Sequence, residues 1–303
     1  MALEGLHHVT AITADAQANV DFYAETLGLR LVKKTVNFDA PEVYHLYFGD
    51  EAGTPGSILT FFEFPGARRG RAGEGMVHRI LWRVPSEEAL EFWSERIPGA
   101  VGENGRVRFA DPEGLEHELV VFPGPDAPLA AVARDVPAEL AITGFHGVRA
   151  FAGETERTAP VLEALGFREL APGAWEAAGE ARRGTILWDA PPELPGIQGA
   201  GTVHHVAWSA ADDDEMVALR ERARSAGAHP TEVIDRQYFH SVYFRVPAGV
   251  LFELATRDIG FAVDEDPAHL GEALRLPPQY EKLRDGLEAQ LTPLRNPRVE
   301  AVR

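Results

Sequence analysis

Residues 5–12 read GLHHVTAI and residues 202–210 read TVHHVAWSA, and two other stretches repeat their pattern: MVHRILWRV at 76–84 and GFHGVRAF at 144–151. Each has a small or apolar residue, a histidine, and then an alternating apolar run with β-branched residues. Alternation with period two is the mark of a half-buried strand. A pattern met four times along one chain makes it an internal repeat, and the repeat sets the fold.

A helical stretch follows each of these strands. DAQANVDFYAETLG puts Val20, Tyr23, Ala24 and Leu27 on one face and stops at Gly28. SEEALEFWSERI offers Ser86 as an N-cap. GETERTAPVLEALG closes on Gly166, and DDDEMVALRERARSAG opens on acids and ends at Gly227, as the helix dipole favours. Three shorter strands complete each unit. The last of them is marked by a Pro-Gly or similar turn before an apolar run, with Glu118 in the second unit and Glu253 in the fourth. The equivalent residue is Thr60 in the first unit and Trp188 in the third. The chain therefore reads as an α+β protein of four βαβββ modules, beginning near residues 6, 76, 143 and 202. Taken in order, the modules pair into domains at 1–125 and 140–260, joined by the stretch from Pro123, with a helical tail at 261–303.

Composition narrows the chemistry. Asp and Glu outnumber Lys and Arg by 47 to 29, a net charge of −18, which repels nucleic acid. No apolar run is long enough for a membrane span, and strand-like pattern begins at once, so a cytoplasmic protein is expected. Cysteine is absent, which rules out disulfides, thiolate zinc sites, iron–sulfur clusters and a cysteine nucleophile. Any metal must be held by His, Asp and Glu, a set suited to iron(II), manganese or zinc.

Paired βαβββ modules resemble the vicinal oxygen chelate superfamily of glyoxalases, type I extradiol dioxygenases and bleomycin-resistance proteins. Within it, HHVTAIT at 7–13, LVKKTVNFD at 31–39, YHLYFGD at 44–50, HHVAW at 204–208 and LFELAT at 251–256 look like the hydroquinone ring-cleaving dioxygenases. The resemblance implies curled mixed sheets around a metal cavity, with His8, His205 and Glu253 as the metal ligands. It implies that His7, Thr10 and His204 lie beside them, and that Arg236 and Tyr243 bind and protonate ring oxygens. It further implies Fe(2+), with Mn(2+) as an alternative and Zn or Ni as occupants on purification. The partners would be a small aromatic diol and O2, with homo-oligomerisation left open.

The residues support the same ligands. Aligned first strands put His7, His78, His146 and His204 in one column and His8, Arg79, Gly147 and His205 in the next, pointing to the opposite face. Only the first and fourth modules keep an imidazole in the second column, so a shared metal requires those two to pair in space. Glu253, between Phe252 and Leu254, needs a partner to offset its desolvation. The rival set of His78, His146 and Glu118 reads as a degenerate, structural copy. His78, His117, His146, His229, His240 and His269 are read as hydrogen-bonded structural histidines, and His45 as either packing or pocket lining. Two other functions remain. A glyoxalase-type lyase or isomerase would want a second carboxylate where Thr60 stands, and a sequestering bleomycin-resistance-like module would leave the triad unexplained.

Overall fold

The computed structural model describes residues 3–300. Module one supplies β1 (Leu6–Thr13), β2 (Arg30–Asn37), β3 (Ala40–Gly49) and β4 (Ile58–Glu63). Module two supplies β5 (Met76–Val84), β6 (Val101–Glu103), β7 (Arg106–Ala110) and β8 (Glu116–Val121). Module three gives β9 (Phe145–Phe151), β10 (Arg168–Ala171), β11 (Ala174–Ala178) and β12 (Arg183–Asp189). Module four gives β13 (Val203–Ala210), β14 (Ile234–Asp235), β15 (His240–Arg245) and β16 (Leu251–Thr256).

These strands form two eight-stranded mixed sheets, in the orders β14-β15-β16-β13-β1-β4-β3-β2 and β10-β11-β12-β9-β5-β8-β7-β6. Modules one and four share the first sheet, as the expected metal ligands require, and modules two and three share the second. The divisions proposed at 125 and 140 on chain order fall in the segment between β8 and β9. At the seam of the first sheet, β1 runs antiparallel to β13, with Thr10 opposite His205 and His8 opposite Ala207. Gly5 leads into β1 at φ +68°, and a Cβ there would lie 2.7 Å from the Arg183 carbonyl carbon, so only glycine lets β1 approach β12 this closely.

The helices form where capping was legible. Ser86 Oγ accepts from Ala89 N–H at 3.2 Å to start α2 (Glu87–Arg96), and Asp212 accepts from Glu215 N–H at 2.9 Å to start α4 (Asp213–Ser225). Between the strands of module one, α1 (Ala16–Val20) widens into a π-helical turn through Thr26, and α3 (Ala159–Ala164) is short. Alternation then divides the faces of the first sheet. Val9, Ala11, Val206, Trp208, Phe252 and Leu254 are buried in the main core, where α4 packs over β13 and β16. The intervening residues His8, Thr10 and Ile12, with His205, Tyr243 and Leu251, turn to the concave side and line a cavity.

After β16 the expected helix around residues 277–291 is split into 3-10 turns at Pro278–Leu283 and a short α-helix, α5 (Arg284–Gln290). Successive prolines and Gly286 limit the regular part. The segment still packs on module one, where the Tyr44 hydroxyl donates to Thr292 O at 2.9 Å and the Tyr280 hydroxyl to Phe38 O at 2.7 Å. Among the described residues, no helix is long and apolar enough to cross a membrane.

Candidate metal centre and cavity

His8 on β1, His205 on β13 and Glu253 on β16 converge on the concave face. His8 Nε2 lies 3.3 Å from His205 Nε2, and Glu253 Oε2 lies 3.1 Å from the first and 2.8 Å from the second. All three residues are buried, and among the described residues this is the one group of three with metal-ligating geometry.

The histidine doublets fix which ring nitrogens are bare. His7 Nε2 sits 3.0 Å from the Thr256 carbonyl oxygen, which can only accept, so that nitrogen carries a proton. Burial, reinforced by His8, pushes the His7 pKa down to about 3, so His7 is neutral and its Nδ1 is bare. His8 Nδ1, 2.9 Å from it, must therefore donate, which leaves His8 Nε2 with its lone pair toward the cavity. The fourth module repeats the Nδ1–Nδ1 contact, His204 to His205 at 2.8 Å, and with His205 as its donor the His205 Nε2 also faces the cavity bare. Burial also lowers the His205 pKa.

In these tautomers three electron-rich atoms face one another, a grouping that a cation, or a proton shared with Glu253, must hold together. The Glu253 carboxyl is held well below the usual range: burial opposes ionisation, but the adjoining His8 and His205 outweigh it. Its Oε1 is satisfied by the Ser241 hydroxyl at 2.5 Å, whereas Oε2 is buried and has no hydrogen-bond donor. A divalent cation fits this arrangement, because it satisfies the orphaned oxygen and both lone pairs together.

The surrounding cavity has a volume of about 430 Å³. Phe62, Phe64, Phe239, Ile12 and Leu251 give it apolar walls, and Asn37, Phe38 and Asp39 line it from the turn between β2 and β3. Thr10, His204, Arg236 and Tyr243 also line it, so these sequence-derived candidates share one space with the three convergent residues, while His7 stands behind His8 and off the cavity. Arg236 Nε donates to the Tyr243 hydroxyl at 3.3 Å, and its Nη1 reaches Asp39 at 3.1 Å. Burial, and then the Glu253 charge, raises the Tyr243 pKa, so its hydroxyl keeps its proton. Sequence reasoning missed Ser241, which no pattern marks, and the polar wall of Tyr47 and Thr60. His45 lies in that wall as well as packing, since its ring centroid is 4.0 Å from that of Tyr47.

The second sheet shows what the same register becomes without imidazoles. Ala207 pairs with Glu253, Leu81 with Glu118 and Thr10 with Thr60, so these three end-strand residues are equivalent. In module three Arg149 pairs with Leu187, which corrects the expected Trp188 by one residue. Glu118 is bound by Arg79, Arg106 and Arg108 instead of histidine. His78 turns away to Asp189 at 2.8 Å, and His146 packs near Phe122, so the rival set does not assemble.

A sheet of paired βαβββ modules, curled over an imidazole–carboxylate cluster, defines the class: the chain belongs to the glyoxalase/bleomycin resistance protein/dioxygenase superfamily, whose model matches residues 5–119 and 101–254. Among its relatives is the "Putative ring-cleaving dioxygenase MhqO" of Bacillus subtilis (strain 168), 41% identical over 303 residues, covering 95% of this chain and 96% of that one. The chlorohydroquinone/hydroquinone 1,2-dioxygenase of Sphingobium indicum is 33% identical over 321 residues, covering 94% of this chain and 95% of that one. A crystal structure from Bacillus subtilis, named with the same qualifier as a dioxygenase, superposes with a TM-score of 0.90 at 39% identity, covering 97% of this chain and 98% of that one.

Proposed function

We propose that the protein is an iron(II)-dependent ring-cleaving dioxygenase of the extradiol type, acting on hydroquinone- or catechol-like aromatics with O2. The observation that carries this reading is the convergence of His8 Nε2, His205 Nε2 and Glu253 Oε2 beneath an aromatic-walled cavity. Two histidines and one carboxylate leave the other side of a metal open, the arrangement used by non-heme iron(II) oxygenases. His8, His205 and Glu253 would hold ferrous iron there, which would supply the redox and Lewis-acid chemistry that combining an aromatic diol with O2 requires.

The chain's own residues do the rest. His7 and His204 hold the ligand imidazoles in the tautomer that presents Nε2. The phenylalanine walls take the flat ring and exclude water. Tyr243, accepting from Arg236, directs its own proton toward the cavity as a hydrogen-bond donor to a ring oxygen, and Arg236 offsets negative charge that develops there. His204, on the open side of His205, accepts from His205 through Nδ1 and so presents its Nε2–H to the cavity as a donor to a substrate oxygen. A glyoxalase-type reaction is less well supported, since the register gives Thr60 where a second carboxylate would be needed.

The test is oxygen uptake by anaerobically iron-loaded protein offered a panel of hydroquinones and catechols, alongside His205→Ala. Uptake with a ring-opened product, lost in the variant, is the expected result. Iron-loaded protein that consumes no oxygen with any diol would refute the reading.

A further inference from the structure

Leading away from the metal-side residues, the cavity wall holds a continuous polar chain that the reaction as described leaves without a task. The Tyr47 hydroxyl lies 2.8 Å from His45 Nδ1, His45 Nε2 lies 2.9 Å from Thr60 Oγ1, and the Thr60 hydroxyl donates to Thr10 Oγ1 at 3.0 Å. All four residues are buried, and His45, Tyr47 and Thr10 line the cavity. The chain lies within module one, crossing from β3 through β4 to β1, where Thr10 sits two residues after His8 and so on the same face.

Its direction is set at the Tyr47–His45 link, since the reverse order would satisfy the same valences. With the phenol donating, His45 Nε2 is the protonated nitrogen, and Thr60 accepts from it and gives its own proton to Thr10. His45 Nδ1 is then bare and takes the Tyr47 proton, the stronger match, because a phenol donates better than an imidazole N–H and a bare imidazole nitrogen accepts better than a phenol oxygen. Burial first, then His8 and His205, holds the His45 pKa well below its ordinary value, and burial keeps the Tyr47 phenol protonated. Every internal valence is used, and the one proton left over is that of the Thr10 hydroxyl. Successive donation polarises each member, so this terminal donor is stronger than an isolated threonine.

We propose that Thr10 is a directed hydrogen-bond donor to the second ring oxygen of a bound aromatic diol, with Tyr47, His45 and Thr60 as positioning residues that aim its proton. This rests on the ring-diol reading above. It gives that site a specificity rule: the metal-side residues take one oxygen, and the Thr10 side requires a second, hydrogen-bond-accepting one.

Two measurements test it. The first is the imidazole nitrogen NMR signature of His45 in full-length, chelator-treated protein, where an Nε2–H tautomer is expected and an Nδ1–H tautomer overturns the assigned direction. The second uses iron-loaded protein and Thr60→Val, which keeps the shape and removes the relay, with Thr60→Ser as the conservative rescue. Losing one well-aimed hydrogen bond should raise the KM for hydroquinone roughly fivefold to tenfold. The kcat should stay nearly constant, the inhibition constant of phenol (which lacks the second oxygen) should be unchanged, and Thr60→Ser should restore the wild-type KM. An equal weakening of hydroquinone and phenol, or no change in either, overturns the proposal. Wild-type protein that neither binds nor turns over any diol overturns the ring-oxygen assignment together with the functional reading, while the His45 tautomer still decides the direction of the chain. Thermal melting of both variants shows that they are folded.

Discussion

The Nδ1 atoms of His7 and His8 face each other at 2.9 Å, and because His7 is anchored through Nε2 to the Thr256 carbonyl, only His8 can supply the proton between them. Adjacent residues on a strand normally point to opposite faces, and here that separation is used. One ring reaches the cavity, while its neighbour turns to a carbonyl of β16, the strand that also carries Glu253. The doublet thus ties the tautomer of one candidate ligand to the strand of another.

Replacing His7 with Phe should therefore weaken metal binding without removing a ligand. The His8 Nδ1–H loses its acceptor, and the ring becomes free to flip or to change tautomer. Loss of such an outer partner typically costs about tenfold to a hundredfold in affinity. Competition with a chromophoric chelator measures it, and an unchanged dissociation constant would refute the tautomer argument.

Without a cation, the adjoining His8 and His205 hold the Glu253 carboxylate in its ionised form, so Glu253→Gln should destabilise the metal-free protein. Wild-type protein should gain about 2.7 kcal/mol when free iron(II) reaches a hundred times its dissociation constant, and the variant should gain far less. Melting with and without chelator checks both halves. A Glu253→Gln protein that melts above metal-free wild type would contradict that attraction.

Much of this was legible in the residues before any coordinate. The four strand repeats, the Ser86 cap and the Gly166 and Gly227 stops are local signals, and local signals survive folding. The second-column histidines, His8 and His205, face the cavity as strand alternation predicts, although His204 of the first column lines it too and register shifts interrupt the pairing of β1. What the sequence did not disclose depends on register between distant strands. Leu187 rather than Trp188 is the equivalent of Glu253 in module three because pairing of β12 with β9 is set by packing, and a one-residue slip leaves no mark in composition. Ser241 and the Tyr47–His45–Thr60 wall are ordinary strand residues whose role exists only once β3, β4 and β15 are side by side. The tail after β16 was expected to be helical, and its prolines break the helical part into short 3-10 and α segments.

That tail should nonetheless matter to the cavity. Asp264 accepts from Lys33 Nζ at 2.6 Å, Gln237 Nε2 at 2.7 Å and the Tyr238 hydroxyl at 3.2 Å, holding the loop that carries Arg236 and Phe239. Gln237 sits at φ +66°, a conformation that costs a non-glycine residue about 1–2 kcal/mol and persists only because its surroundings hold it. Asp264→Ala leaves fully buried Lys33 with Glu265 as its remaining carboxylate and frees the loop. The expected outcome is about 1–3 kcal/mol of lost stability by urea unfolding and a raised KM for the aromatic substrate. Equal losses of stability with an unaltered KM would show that the tail does not position the loop.

The buried histidines set the acid limit of the fold, and His117 isolates the effect because it lies away from the metal centre. Its Nδ1 accepts from Trp82 Nε1 at 3.1 Å, so its Nε2–H donates to the Tyr23 oxygen at 3.0 Å, and the Tyr23 proton goes on to Asp111 at 3.0 Å. A second proton would bring an N–H against the Trp82 N–H in a fully buried place, and burial pushes the His117 pKa from 6.5 down to about 3. Between those values the unfolded chain binds a proton that the folded chain does not, so stability rises with pH. The His117 contribution is complete above about pH 6.5 and is lost as the pH falls toward 3, by about 1.4 kcal/mol per pH unit. His117→Gln can keep one acceptor and one donor but cannot titrate. Its unfolding free energy should therefore fall less steeply between roughly pH 6 and pH 4 than that of wild type, by about that amount per unit. Urea melts across that range measure both slopes, and parallel slopes would mean that His117 is already charged in the folded protein.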